Sequence, residues 1–451
     1  MKTKLKILSF IFLAFDLKFI YADVTLYGKV ASGIENDQFQ NSNAISSSSV
    51  QDYGSYFGIR GIDPIYGTTS TIWQVEQYLD IAAGQVYNAT TGSGMIIPNP
   101  KFPNSPSNHV NGQTNVLASS ETYIGLQGDF GKIRLGNLAN FMRSNMGNVD
   151  IFNYGNGANG LGVFSRTNKL LPTSIRYDTN VWKGFSLMGI YSFNSNGLNS
   201  ASGVNGGNNF GSGLSGYYAG GIYSFGINWV YENWSVALGT TIWENVGSYS
   251  TATNGVVESN KYPDASYNTA YANRLEISYN DPDGIILGVG LQTANGMAWN
   301  SWPNSGGRLG VVYNQAFANP ANKIFNTKSI QTQEIAAALG YHFGQWTPKV
   351  GYVHGGNWMK SGDVISVILG SADQIDDTGY DQFVAELDLN ITPRTIVFIN
   401  FGQVFYGNTL SNIAFGPDSS GSQQFKQNNV DASNSYLNNQ FTIAVGFSHT
   451  F

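Results

Sequence analysis

The chain has 451 residues, a formal net charge of −6, 12% charged and 42% hydrophobic residues, and no Cys. Its charged share is about half the roughly 25% usual in soluble domains. No run of ~18 apolar residues occurs beyond the N-terminal segment, which excludes a membrane helix, and few Lys and Arg in an acidic chain exclude a nucleic-acid binder. With 26 Tyr, 27 Phe and 54 Gly, the composition is that of a transmembrane β-barrel, where lipid-facing residues alternate with lumen residues.

Residues 1–22 read as a secretory signal peptide. Lys2, Lys4 and Lys6 precede the apolar stretch Ile7 to Phe15, Asp16 and Lys18 end it, and cleavage is expected after Ala22. Its removal moves the net charge from −6 to −9. The absence of Cys rules out a disulfide framework and leaves an exported location open.

From Asp23 onward, β-rich runs alternate with Asn/Ser/Gly-rich stretches. Val24–Val30 is the first strand, followed by a polar loop to about Tyr53. Ser55–Ile62 and Thr69–Ile81 flank a turn at Asp63-Pro64 with Gly67, and a long Pro/Asn-rich loop then runs to about Ser119. Glu121–Gln127 and Lys132–Gly136 flank a tight turn, and residues 138–171 lack sustained alternation. Thr173–Asn180 and Phe185–Phe193, Tyr217–Val230 and Trp234–Val246, and Tyr271–Asn280 and Ile285–Gln292 form three further hairpins. The last of these turns on Asp281-Pro-Asp-Gly284, a strong turn sequence. Gln333–Phe343 with Trp346–Trp358, Phe383–Leu389 with Thr395–Phe405, and a final Phe441–Phe451 complete the series.

These runs predict about sixteen strands with short turns on one side and long loops on the other, which is the pattern of an outer-membrane barrel. An even count lets the first and last strands close the wall and leaves no edge. Residues 274–280 (RLEISYN) alternate polar and apolar throughout. Residues 382–390 set Phe383, Ala385, Leu387 and Leu389 against Glu386, Asp388 and Asn390. In the last strand Phe441, Ile443, Val445, Phe447 and Phe451 share one parity and are expected to face lipid, with His449 their one polar companion. Trp182, Trp229, Trp234 and Trp346 lie beside short turns, as an interfacial girdle requires. The mature chain reads as one all-β domain, residues 23–451.

Four fragments resemble the general porins of Neisseria- and Burkholderia-type Gram-negative bacteria: residues 24–28 (VTLYG), 55–61 (SYFGIRG), 123–136 (YIGLQGDFGKIRLG) and 446–451 (GFSHTF). Residues 174–178 (SIRYD) with Gly184-Phe185 add a weaker match. The resemblance implies a 16-stranded antiparallel barrel, a homotrimer in outer-membrane lipid and lipopolysaccharide, with an inward-folded third loop at about 138–171. It also implies that the barrel-assembly machinery reads the ending Phe441, Ile443, Val445, Phe447, His449 and Phe451, and that small hydrophilic solutes and ions pass through a constriction of basic wall residues facing acidic loop residues.

At the matching positions the chain departs from that pattern. Tyr56, Glu121 and Asn137 stand where the family usually has Arg. The remaining constriction candidates are Arg60, Arg134, Arg143, Arg166, Lys169 and Arg176, opposed by Glu76, Glu121 and Asp150. A thinned basic wall in an acidic chain predicts a weak cation preference or little selectivity.

Other chemistry finds little support. Residues 155–160 (GNGANG) match a dinucleotide fingerprint but lack its preceding strand and following helix, so they read as flexible pore loop. His109, His342, His354 and His449 are dispersed: the hairpin turn sets His342 opposite about residue 347, away from His354, so no shared metal is expected. Asp373, Asp376, Asp377 and Asp381 could hold Ca in principle, but their spacing fits a solvated acidic loop better. No cofactor is expected and no nucleophile–base motif marks an enzyme. The alternatives are an adhesin or receptor acting through the long second, sixth and eighth loops, and a substrate-specific channel with Tyr217, Tyr218, Tyr223 and Trp229 as an aromatic slide.

Overall fold

The structure, a computed structural model, describes residues 23–39, 45–79, 81–82, 117–152, 158–161, 164, 170–193, 221–246, 252–253, 256–257, 268–295, 331–359, 374–375, 379–407 and 440–451. The N-terminal segment 1–22 lies outside them. So do Asp373, Asp376, Asp377, Tyr217 and Tyr218.

The strands in chain order begin with β1 (Asp23–Phe39), β2 (Ile45–Asp52), β3 (Ser55–Tyr66), β4 (Thr69–Leu79), β5 (Thr122–Gly128) and β6 (Gly131–Ala139). After the short helix α1 (Phe141–Ser144) come β7 (Leu170–Asp178), β8 (Phe185–Ser192), β9 (Ile222–Tyr231), β10 (Trp234–Val246) and the small hairpin β11 (Ala252–Thr253) and β12 (Val256–Val257). The wall continues with β13 (Asn268–Asn280), β14 (Ile285–Asn295), β15 (Gln331–Tyr341) and β16 (Trp346–Gly355), extended by β17 (Trp358–Met359) and β18 (Gln374–Ile375). It ends with β19 (Tyr380–Thr392), β20 (Thr395–Tyr406) and β21 (Gln440–Thr450). Every wall pair is antiparallel, and β21 pairs with β1 from Lys29 opposite Thr450 to Phe39 opposite Gln440. The result is a closed 16-strand barrel, in which β2 and β3 together supply one wall position. Closure satisfies the strand backbone without water, as the bilayer demands.

The burial pattern is inside out for a soluble protein. Ile277 and Leu387 are exposed, and Phe447 is 66% exposed, whereas Glu276 and Glu386 on the opposite parity are 1% and 3% exposed. In water, so large an apolar surface would demand a partner; here lipid covers it. In β21 the residues Ile443, Val445, Phe447 and His449 are exposed, as is Phe451 just after it, Phe441 is partly so, and the intervening Thr442, Ala444, Gly446 and Ser448 are buried. Trp182, Trp234 and Trp346 are exposed beside the short turns, and Trp229 stacks on Tyr231 at the same rim.

Three expectations need correction. The polar stretch after Val30 is strand rather than loop: β1 continues to Phe39 and pairs with β2, with Ile34 opposite Val50. Alternation hides this strand because its inward residues Glu35 and Asp37 and most of its outward ones, Ser32, Asn36 and Gln38, are all polar, so no apolar face repeats. Second, the wall breaks at Tyr53-Gly54 instead, where Gly54 takes φ +78 and Tyr53 packs edge-on against Phe398 at 5.2 Å. Third, Asp63 and Pro64 belong to β3, and the turn falls at Gly67-Thr68. Pro64 is tolerated because the register shifts beside it, between Pro64 and Tyr66.

Candidate functional site

Strand parity sorts the candidate residues. On β1, Val24, Leu26 and Val30 are exposed apolar residues, so Tyr27 and Lys29 take the other face. Register then carries that face across the sheet. Tyr27 lies opposite Gly58, Gly58 opposite Glu76, and Thr25 opposite Arg60. Arg60 lies opposite Gln74, Gln74 opposite Tyr123, Gly125 opposite Arg134, and Arg134 opposite Arg176. Tyr56, Arg60, Glu76, Arg134 and Arg176 therefore share the inner wall.

Two guanidinium groups side by side on adjacent strands would repel, and here one carboxylate serves both. Arg134 reaches Asp178 at 2.7 Å and Arg176 reaches it at 2.5 Å. Arg134 also lies 3.6 Å from Glu121, which accepts from the Ala139 N–H, and Arg176 donates to the Ala139 carbonyl. Glu76 accepts from the Tyr27 hydroxyl at 2.9 Å and from Ser120. Asn137 follows the exposed Leu135 and spends its amide on the Ser120 carbonyl, apart from the charged row. Arg166 and Lys169 fall outside the described residues.

The far wall carries a second set that sequence reasoning did not single out. Lys349 on β16 is held by Glu386 at 2.7 Å and Asp388 at 2.6 Å, both on β19. Arg274 on β13 pairs with Glu276 at 3.5 Å and donates to Gln292. All of these have the buried parity. Alternation would have flagged them as lumen residues, but only register says which acid meets which base.

The described part of the third loop is bonded to this same face. Asn140 caps α1 by accepting from the Arg143 N–H at 2.8 Å. Glu276 accepts from two successive loop N–H groups, Gly147 at 2.6 Å and Asn148 at 3.0 Å. Gln292 donates to the Phe164 carbonyl, and Gln382 donates to those of Ala158 and Gly160. Asn159 donates to Glu35 on β1 and Asn400 on β20. Glycines on the wall make room for it. Phe141 packs over Gly226 and Gly239, Val149 over Gly288, Phe164 over Gly290, Phe152 over Gly351 and Ala158 over Gly402. A Cβ at any of these would collide with the loop. Asp150 is exposed within the field of Arg274.

The remaining candidates resolve separately. His342 meets Thr347 at 3.3 Å, as the hairpin geometry requires, and His354 pairs with Asp381 at 2.8 Å. No group of three or more His, Asp or Glu suited to a metal occurs among the described residues. Tyr223 and Trp229 share the parity of the exposed Phe225 and Ile227, so they belong to the lipid face and not to an aromatic slide.

The model of the Gram-negative porin family matches residues 18–450. The Neisseria meningitidis serogroup B major outer membrane protein P.IA is 23% identical over 419 residues, covering 84% of this chain and 88% of that one. The Neisseria lactamica major outer membrane protein P.IB is 25% identical with the same coverage. Among solved structures, an anion-selective porin from Comamonas acidovorans aligns with TM-score 0.57 at 15% identity, covering 96% of this chain and all of that one. Salmonella typhi OmpF in complex with daunomycin aligns with TM-score 0.52 at 13% identity, covering 95% and 97%. A closed barrel with a charged inner wall and a family match that spans nearly the whole chain lead to one conclusion: this protein belongs to the Gram-negative porin family.

Proposed function

We propose that this outer-membrane diffusion porin filters small hydrophilic solutes and ions at a constriction built by the third loop, with a weak preference for cations. The observation that carries the reading is the set of bonds from Glu276, Gln292 and Gln382 to Gly147, Asn148, Ala158, Gly160 and Phe164 of the loop. Those bonds hold irregular backbone at membrane depth, which is tolerable only against protein or lumen water.

The preference follows from charge. Arg134, Arg176, Arg274 and Lys349 each have a carboxylate partner, so little of their field reaches a passing ion. Glu35, Asp37, Glu76 and Glu334 add further acid on the same face, and low-dielectric walls focus what remains. A salt-gradient reversal potential tests the reading: a modest cation-selective value is expected, and clear anion selectivity overturns it. Homotrimer assembly, contact with lipopolysaccharide and reading of the Phe441–Phe451 strand by the barrel-assembly machinery belong to the same proposal. They are supported by the family's ending in this chain and tested by three-step channel closure and by refolding of C-terminal truncations.

A further inference from the structure

Two guanidinium groups, one on the inner wall and one on the third loop, have no carboxylate partner among the described residues, and both lie over tyrosine rings. Arg60 on β3 is exposed and stands 5.0 Å from the ring centroid of Tyr27. Arg143, on α1 of the third loop, stands 5.9 Å from the ring of Tyr78 on β4, and its Nη1 is enclosed without an acceptor. Between them Tyr56 lies directly across the strands from Tyr78, makes an edge contact with Tyr27 at 6.2 Å, and feels the charge of both arginines. Next to this group Arg134 lies 5.1 Å from the ring of Tyr123. The buried cations Arg176, Arg274 and Lys349 are neutralised by acids instead.

Stacked on a ring through its flat face, a guanidinium keeps its N–H edge free for an anion. Half-buried tyrosines offer apolar faces on which a second ring can stack. We propose that Arg60, Arg143, Tyr27, Tyr56 and Tyr78 form a binding subsite for planar aromatic carboxylates where the third loop meets the wall. The ring lies on the tyrosine faces and the carboxylate takes the guanidinium edges in charge-assisted hydrogen bonds. A bare small anion would use the arginines and leave the tyrosines idle, and a sugar would leave the arginines unanswered. Glu76, held by Tyr27 and Ser120 in the same patch, opposes the carboxylate and keeps the binding weak enough for release. The inference rests on the loop being folded into the lumen.

Conductance of the purified channel in a planar bilayer separates the two readings, since ion flow without ligand tests the pore and block by ligand tests the subsite. At neutral pH and fixed ionic strength, benzoate should produce concentration-dependent current block. Cyclohexanecarboxylate should block less and acetate hardly at all. Arg60→Gln and Tyr56→Ala should each raise the half-blocking benzoate concentration about five-fold, in the range of one cation–π or stacking contact. Glu76→Gln should lower it, while Lys183→Gln, at a short turn, should not change it. Heat-modifiable gel mobility verifies that each variant is folded. Equal block by acetate and benzoate, or block unchanged in both Arg60→Gln and Tyr56→Ala, overturns the proposal.

Discussion

Gly28 and Phe451 exchange both backbone hydrogen bonds, each at 3.0 Å, so the final residue of the chain is laced to the first strand. The Phe451 ring covers Gly28 closely: a Cβ there would meet the ring at 2.6 Å and the Tyr56 carbonyl at 2.7 Å. Replacing Gly28 with Val should therefore open the seam at its short-turn end. Overpacking of this kind costs about 1–3 kcal/mol, and the expected outcome is a lower folded yield in detergent refolding, read by heat-modifiable mobility. Wild-type yield would show that the seam tolerates a side chain.

Asp178 neutralises two neighbouring arginines at once. Asp178→Asn leaves Arg134 and Arg176 facing each other with only the more distant Glu121 nearby. Removing one partner of a largely buried pair costs roughly 3–5 kcal/mol, and residual exposure of Asp178 places the expected loss at the lower end. The unmasked positive charge should also move the reversal potential toward anions. Denaturant unfolding and reversal potential measure the two effects separately.

Glu276 holds Gly147 and Asn148 with one carboxylate oxygen. Hydrogen bonds to a charged acceptor contribute about 1.5–3 kcal/mol. Glu276→Ala should free this part of the loop and appear as added open-channel noise and substates. A quiet, single-level current would contradict the role of Glu276 as an anchor.

Gly402 is the narrowest of the approaches between wall and loop, with the Ala158 carbonyl directly above it. Gly402→Val should push residues 158–161 away from β20 and break the Gln382 bonds to Ala158 and Gly160. The expected result is altered unit conductance with the barrel intact by circular dichroism. A lipid-facing counterpart behaves differently: Ile277→Arg should leave conductance alone and destabilise the fold, by less than the roughly 2–4 kcal/mol of a midplane position because Ile277 lies two residues from the Trp234–Tyr279 pair at the rim.

The barrel was legible in the chain because a strand has period two and lipid accepts only apolar side chains. Residues 382–390 and 441–451 therefore declare their outer face without any knowledge of neighbours, and Asp281-Pro-Asp-Gly284 declares a turn by local chemistry. Alternation failed where both faces of a strand carry mostly polar residues, so the continuation of β1 and the whole of β2 read as loop. The charged candidates were visible as residue types on inward parity, but Asn137 shows the limit, since it shares the parity of the exposed Leu135 and not that of Arg134.

What the sequence by itself determined is which residues meet lipid, which strands follow one another and how the chain ends, because each depends on local periodicity. What only the tertiary structure decided is the company each inward residue keeps. Arg134 and Arg176 are 42 positions apart by number, yet register makes them neighbours under one Asp178. Gly226, Gly290 and Gly402 become a seat for the third loop only when the wall closes. Pairing across strands and contact across the lumen are long-range facts, set by register and closure, and no local pattern encodes them.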